Sequence, residues 1–135
     1  MRIIGFNFNK ISIERKKKDS GKINIKTEID VPEIKEVKSS IIKTGEIIVE
    51  VMFDYKIKYE PDFAEVSLAG NILITLEPKI AKDVLKQWKK KKIHEDFRIF
   101  LFNIILKKAA LKALELEDEL NLPLHMPMPS FKKQE

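Results

Sequence analysis

The residues able to do acid–base or metal chemistry are few and poorly placed for it. His94 and His125 are the two histidines, far apart in sequence, with no His-x-x-x-His spacing that would put both imidazoles on one helical face as a metal pair. Lone histidines of this kind are ordinarily surface or packed residues. Glu115, Glu117, Asp118 and Glu119 cluster, but at a helix end they meet no converging partner for a metal or a proton-transfer pair. Cysteine is absent, which removes disulfides, thiolate nucleophiles and thiolate metal sites and fits a reducing compartment. The four glycines never take the spacing of a phosphate-cradling loop, and Lys43-Thr44-Gly45 precedes a strand pattern, not a helix. No catalytic residue, metal ligand or cofactor is assigned, and the chain does not read as an enzyme.

Charge offers a second chemistry. The formal net charge is +5, concentrated in Arg15-Lys16-Lys17-Lys18 and Lys89-Lys90-Lys91-Lys92. Such clusters can bind phosphate by releasing counterions. The alternative is two solvated linkers, one between strands and one between helices, and it is favoured because no aromatic residue interleaves with either cluster. Nucleic acid is therefore a disfavoured partner.

The elements that position these residues are dominated by one hairpin. Ile47, Val49, Val51, Phe53, Tyr55, Ile57 and Tyr59 occupy odd positions; Ala64, Val66, Leu68, Gly70, Ile72, Ile74 and Leu76 continue the stripe on even ones. Strand side chains alternate between faces, so the stripe is one apolar face, and a parity swap needs a turn with an even number of residues. A two-residue turn at Pro61-Asp62 puts Tyr55 opposite Leu68 and Phe53 opposite Gly70; a four-residue turn over 60–63 is the alternative, read as keeping parity with shifted partners. Before the hairpin, Phe6 and Phe8 are even while Ile11 and Ile13 are odd, a phase slip that predicts a bulge near Asn9-Lys10. Beyond Ser20-Gly21, Ile23, Ile25, Ile29 and Val31 alternate until Pro32, which is expected to stop the strand. Residues 33–44 lack clean periodicity and read as a connection, after which Gly45 restarts the strand pattern.

From Pro78 the period becomes helical, with Ile80, Val84, Leu85 and Trp88 on one face. A longer helix begins near Glu95 or Asp96. Phe97, Phe100, Leu101, Ile104, Ile105 and Leu111 form its stripe, while Ile99, Phe102 and Leu106 make the far side apolar too. That far side predicts self-association, with Leu101, Asn103 and Ile105 as candidate interface residues and Asn103 either a polar register mark or a surface-pointing asparagine. Residues 120–131 carry three prolines and cannot be helical, yet Leu124, Met126, Met128 and Phe131 make them apolar; they lie in a groove of their own protein or line one for a partner.

Size sharpens the point. A strand of roughly 14 residues spans about 45 Å, whereas a compact chain of this length is about 36 Å across. The hairpin is expected to outrun its cover, so either the sheet curls or apolar surface is left for another subunit or for a ligand groove. The 135 residues, 44% hydrophobic, suffice for one domain over 1–135. Met-Arg-Ile-Ile-Gly-Phe-Asn-Phe lacks the features of a signal peptide, no segment reaches membrane-spanning length, and the expected location is cytoplasmic.

Several local strings, taken in order, resemble the SecB-like export chaperones. They are Ile23-Asn24-Ile25-Lys26-Thr27-Glu28-Ile29-Asp30-Val31, the hairpin with Ala69-Gly70-Asn71-Ile72 similar to the family's Ala-Gly-Ile-Phe strand, Leu120-Asn121-Leu122-Pro123 similar to its Leu-Asn-Leu-x-Pro, and Phe131 near its aromatic. Together they cover most of residues 3–131. The resemblance implies an α+β fold: a four-stranded antiparallel Greek-key sheet packed against a short and a long C-terminal helix. It further implies a dimer of dimers with the long helices inside, and ATP-independent holding of unfolded polypeptides or preproteins in apolar grooves. Two departures stand out. This chain is basic where the bacterial members are acidic and dock the export motor through carboxylates, and it stops at Glu135, before room for the family's full final helix.

Residue patterns and resemblance meet on a holdase chaperone forming a homodimer or homotetramer, without membrane insertion. Extended apolar surface recognises unfolded chains without demanding a fixed sequence. The candidate client-contact residues are Phe6, Phe8, Phe53, Tyr55, Leu124, Met126, Met128 and Phe131, each with plain core packing as the competing reading. The competing readings are a dedicated chaperone for one partner, such as a toxin-antitoxin pair, and a basic nucleic-acid-binding domain.

Overall fold

The computed structural model describes residues 1–16, 21–38 and 45–133. Lys17 and Lys18 of the first basic cluster, Ser20, and residues 39–44 of the expected connection lie outside the described residues. The elements run β1 (Arg2–Arg15), β2 (Asn24–Val37), β3 (Ile47–Glu60), β4 (Ala64–Leu76), α1 (Pro78–Lys89) and α2 (Glu95–Glu119).

All neighbours in the sheet are antiparallel and the spatial order is β1-β4-β3-β2. Three consecutive strands neighbour one another and the first returns beside the last, which is the Greek key expected. The central hairpin has the anticipated register, with Tyr55 opposite Leu68 and Phe53 opposite Gly70. Its ladder closes at Tyr59 and Ala64, so the connection spans residues 60–63. Partners are not shifted relative to the shorter turn, because both turns centre on the same point of the chain. Asp62 takes the left-handed region the turn requires, φ 47°.

In β1 the ladder against β4 slips between Phe8 and Lys10, the bulge that the change of parity predicts. β2 departs from expectation. It does not stop at Pro32 but continues to Val37, with a register shift between Asp30 and Glu33 that carries the proline through. The physical reason is position: β2 is an edge strand, and at a bulge on an edge the missing N–H of proline interrupts no ladder.

The inner face of the hairpin is sealed. Val49, Val51, Phe53, Tyr55, Ile57 and Tyr59 are each at most 1% exposed, under α1, α2 and the segment after α2. The expectation that the hairpin outruns its cover is thus corrected: 25 helical residues reach about 37 Å at 1.5 Å each, and the tail extends the cover. The apolar surplus sits elsewhere, on Ile3, Ile4 and Ile11 of β1, on Ile99, Leu106 and Leu111 of α2, and along the tail. The outer sheet face is polar and laced by ion pairs, Lys26–Glu60 at 3.3 Å, Lys35–Glu50 at 3.3 Å and Lys58–Glu28 at 3.7 Å.

Both helices end in the same device. After α1, Lys91 is left-handed (φ 59°) and the N–H of Lys92 reaches the Gln87 carbonyl at 3.0 Å. After α2, Asn121 is left-handed (φ 53°) and the N–H of Leu122 reaches the Glu117 carbonyl at 2.9 Å. These are Schellman stops, with asparagine and lysine in place of the usual glycine. The second basic run is therefore the end of α1, where lysines complement the helix dipole. No helix is long and apolar enough to cross a membrane among the described residues.

Candidate functional site

The stop at Asn121 turns the chain back over β3, and Leu122, 5% exposed, plugs it into the core. This return brings together side chains far apart in sequence. Nδ1 of His125 meets Oε1 of Glu117, its Nε2 lies 2.8 Å from the Tyr55 hydroxyl, and its backbone N–H donates to Glu117 Oε2 at 3.2 Å. The Tyr59 hydroxyl faces both Glu117 Oε2 and the Pro123 carbonyl, the latter at 2.7 Å. An imidazole that donates from Nδ1 to the carboxylate and accepts at Nε2 from Tyr55 satisfies both of its nitrogens. Burial first, then the charge of Glu117, pushes the Tyr55 hydroxyl up to about 12. Burial, followed by the hydrogen bond to Glu117, pushes Tyr59 up as well.

This cluster corrects the sequence expectation that the acids of 115–119 meet no partner and that the two histidines stand alone. Glu117 finds His125, while Glu115, Asp118 and Glu119 stay exposed. The available signal was a helical phase that turns Glu117 inward together with a tail too apolar for solvent; the pairing itself depends on the chain reversal. His94 is the N-cap of α2: its Nδ1 accepts from the Phe97 N–H at 3.3 Å, and its Nε2 lies 3.3 Å from Asp83. The buried Tyr–His–Glu set resembles a proton relay, but neither His125 nor Glu117 offers its side chain to solvent, so a substrate has no approach. Among the described residues no group of three or more acids, histidines or cysteines could hold a metal ion.

The candidate client residues divide. Phe53 and Tyr55 are 1% and 0% exposed, so neither can be reached while the helices and the segment after α2 cover them. Phe6 and Phe8 are half-buried and pack on Phe53 at ring distances of 5.2 and 6.1 Å. Gly70 makes this possible: a Cβ there would collide with the Asn7 carbonyl oxygen and crowd the Phe53 ring at 3.0 Å. Leu124, Met126, Met128 and Phe131 are exposed, Phe131 fully so.

The candidate interface residues divide as well. Leu101 and Ile105 point into the chain's own core at 0% exposure, so the earlier placement of an interface there is wrong: their stripe faces the sheet. Asn103 is on the opposite, open side with Ile99 and Leu106. Farther along α2, Leu106, Lys107, Ala110, Leu111 and Leu114 border a shallow depression of about 420 Å³ closed at one side by Met126.

An open Greek-key sheet with one face covered by a short and a long helix, its apolar surplus left on the helix and tail, is a SecB-like α+β fold. A solved structure shares it: the Mycobacterium tuberculosis SecB-like chaperone Rv1957, in complex with a ChAD peptide from the Rv1956 HigA1 antitoxin. The match has a TM-score of 0.51 and 10% sequence identity, and covers 98% of this chain and 92% of that one. At that identity the likeness defines the fold. No family model matches the sequence, and a search of curated proteins finds no significant match.

Proposed function

We propose that this protein is an ATP-independent chaperone that holds unfolded polypeptides on apolar surface in the cytoplasm. The observation that carries the reading is the apolar depression on α2 that Met126 helps to line, together with the exposed Met128 and Phe131 farther along the same segment. Methionine's flexible thioether accommodates varied partners, and contact made by dispersion and water exclusion demands no fixed sequence. Phe6 and Phe8 extend the client surface onto β1. Self-association uses the open side of α2 at Ile99, Asn103 and Leu106, and gives a homodimer or homotetramer.

The test is suppression of aggregation of several unrelated denatured proteins without nucleotide, combined with sedimentation in the presence and absence of a denatured client. Protection of each client at moderate salt supports the holdase. Failure with every client ends it, and binding that collapses steeply as salt rises points to a phosphate partner instead.

A second reading has one observation in its favour: the solved protein with this fold carries a peptide from an antitoxin. A dedicated chaperone of that kind would saturate with one partner and ignore generic unfolded chains. Preproteins awaiting export are the corresponding clients of the general reading.

A further inference from the structure

The segment after α2 lies over Tyr55 and Tyr59 as a strap, and the groups that hold it address its backbone. The Tyr59 hydroxyl faces the Pro123 carbonyl at 2.7 Å, and the Glu117 carboxylate accepts the His125 N–H at 3.2 Å. A carbonyl and the N–H two residues further along project to the same side of an extended chain, and Tyr59 and Glu117 meet the strap at that spacing before it bends at His125 and Met126. The side chains that seat it are Leu122 in the core, the imidazole of His125 and Met126 at the α2 depression, while Leu124 is 39% exposed. Past the helix stop at Leu122, residues 123–133 make no backbone-to-backbone hydrogen bond to the rest of the protein among the described residues.

We propose that the surface bounded by Tyr55 and Tyr59 of β3 and Glu117 of α2 is a polypeptide-binding site that residues 122–126 of the same chain occupy, and that an extended apolar segment of a client displaces them. This rests on the chaperone reading above and names the site. When the strap leaves, Glu117 keeps Tyr59 and exchanges both donors of His125 for water. A guest strand returns one backbone N–H to Glu117 whatever its side chains, and its carbonyl stands beside the Tyr59 hydroxyl where that of Pro123 stood. An apolar guest residue takes the place of Leu122 in the core cluster. The strap is thus a stand-in client that keeps the surface dry between clients and sets a threshold for binding.

The test is amide hydrogen exchange of the full chain, alone and saturated with reduced, carboxymethylated α-lactalbumin as a permanently unfolded probe. The expected result is that protection of the His125 amide falls at least about tenfold in the complex. His125→Ala removes the imidazole's bonds and leaves the surface beneath, so it binds the probe about tenfold more tightly, because the open state is more populated. Binding with His125 protection unchanged, or an unchanged affinity in a folded His125→Ala protein, overturns the strap and leaves the chaperone reading standing. Absence of probe binding by both proteins overturns both. If His125→Ala does not fold, exchange in the unaltered chain decides alone.

Discussion

Nδ1 of His125 lies 2.7 Å from Oε1 of Glu117, with the two side chains 2% and 0% exposed. A buried carboxylate is tolerable only with its lone pairs engaged, and here the Tyr59 hydroxyl, the His125 imidazole and the His125 backbone N–H meet it, while Tyr55 holds the far nitrogen of the imidazole. The pair fastens the tail to the end of α2 and to β3 at once, which makes it the joint between the helical layer and the sheet.

Glu117→Ala leaves the imidazole N–H and the His125 amide without an acceptor and opens a cavity. The expected loss is about 3–5 kcal/mol of unfolding free energy, as when one partner of a buried pair is removed. Glu117→Gln, which keeps an acceptor and the volume, is milder. Urea denaturation of the three proteins checks the order; a loss under about 1 kcal/mol for the alanine variant contradicts the geometry.

Alkaline pH should unfold the protein through its tyrosines. The folded state holds the Tyr55 proton more tightly than the unfolded chain, raising the value from 10.0 to about 12. The stabilisation is therefore complete below pH 10 and is lost as pH rises from there through about 12. Its size is about 3 kcal/mol for Tyr55, at 1.36 kcal/mol per pKa unit, and Tyr59 adds in the same direction. Since these are the protein's two tyrosines, ultraviolet absorbance of tyrosinate reports the site directly. Ionisation at the ordinary tyrosine value in the folded protein would contradict the burial.

Gly70→Ala tests the close approach of β1 to β4. The added methyl meets the Asn7 carbonyl oxygen and the Phe53 ring, so the strands must part or the aromatic cluster must shift. Overpacking of this kind costs about 1–3 kcal/mol, and a backbone atom yields less readily than a side chain, so the upper end is expected. A thermal melt within error of the parent would show that β1 sits farther away.

Substitutions on the two sides of α2 should differ in kind. Leu101→Asp buries an unpaired charge in the core and is expected to unfold the chain. Ile99→Asp and Leu111→Asp lie on exposed positions, 54% and 61% accessible, and should change monomer stability by less than about 0.5 kcal/mol. If the open side joins copies, Ile99→Asp yields smaller particles in sedimentation while remaining folded. Unchanged particle size for a folded, associated Ile99→Asp protein would move the contact elsewhere.

Much of the architecture is legible in the chain because the signals are local. The alternation from Ile47 to Tyr59 and its parity change at Pro61 define the hairpin and its register, since a two-residue repeat follows directly from the pleat. The phase slip after Phe8 marks the bulge, Pro78 opens α1, and Glu95 opens α2. Pro32 misleads because its effect depends on whether its strand is central or at an edge, which periodicity does not encode.

The site was less legible. Leu101 and Ile105 belong to a stripe any helix wheel displays, but apolar residues surround α2, and only packing selects which side meets the sheet. Glu117 and His125 carry no shared spacing or motif; they meet because Asn121 reverses the chain and Leu122 anchors it. Local periods arise from backbone geometry and so are written residue by residue. Contacts between distant segments arise from competition for a limited interior, and it is folding as a whole that settles which polar groups are enclosed and which apolar ones remain outside.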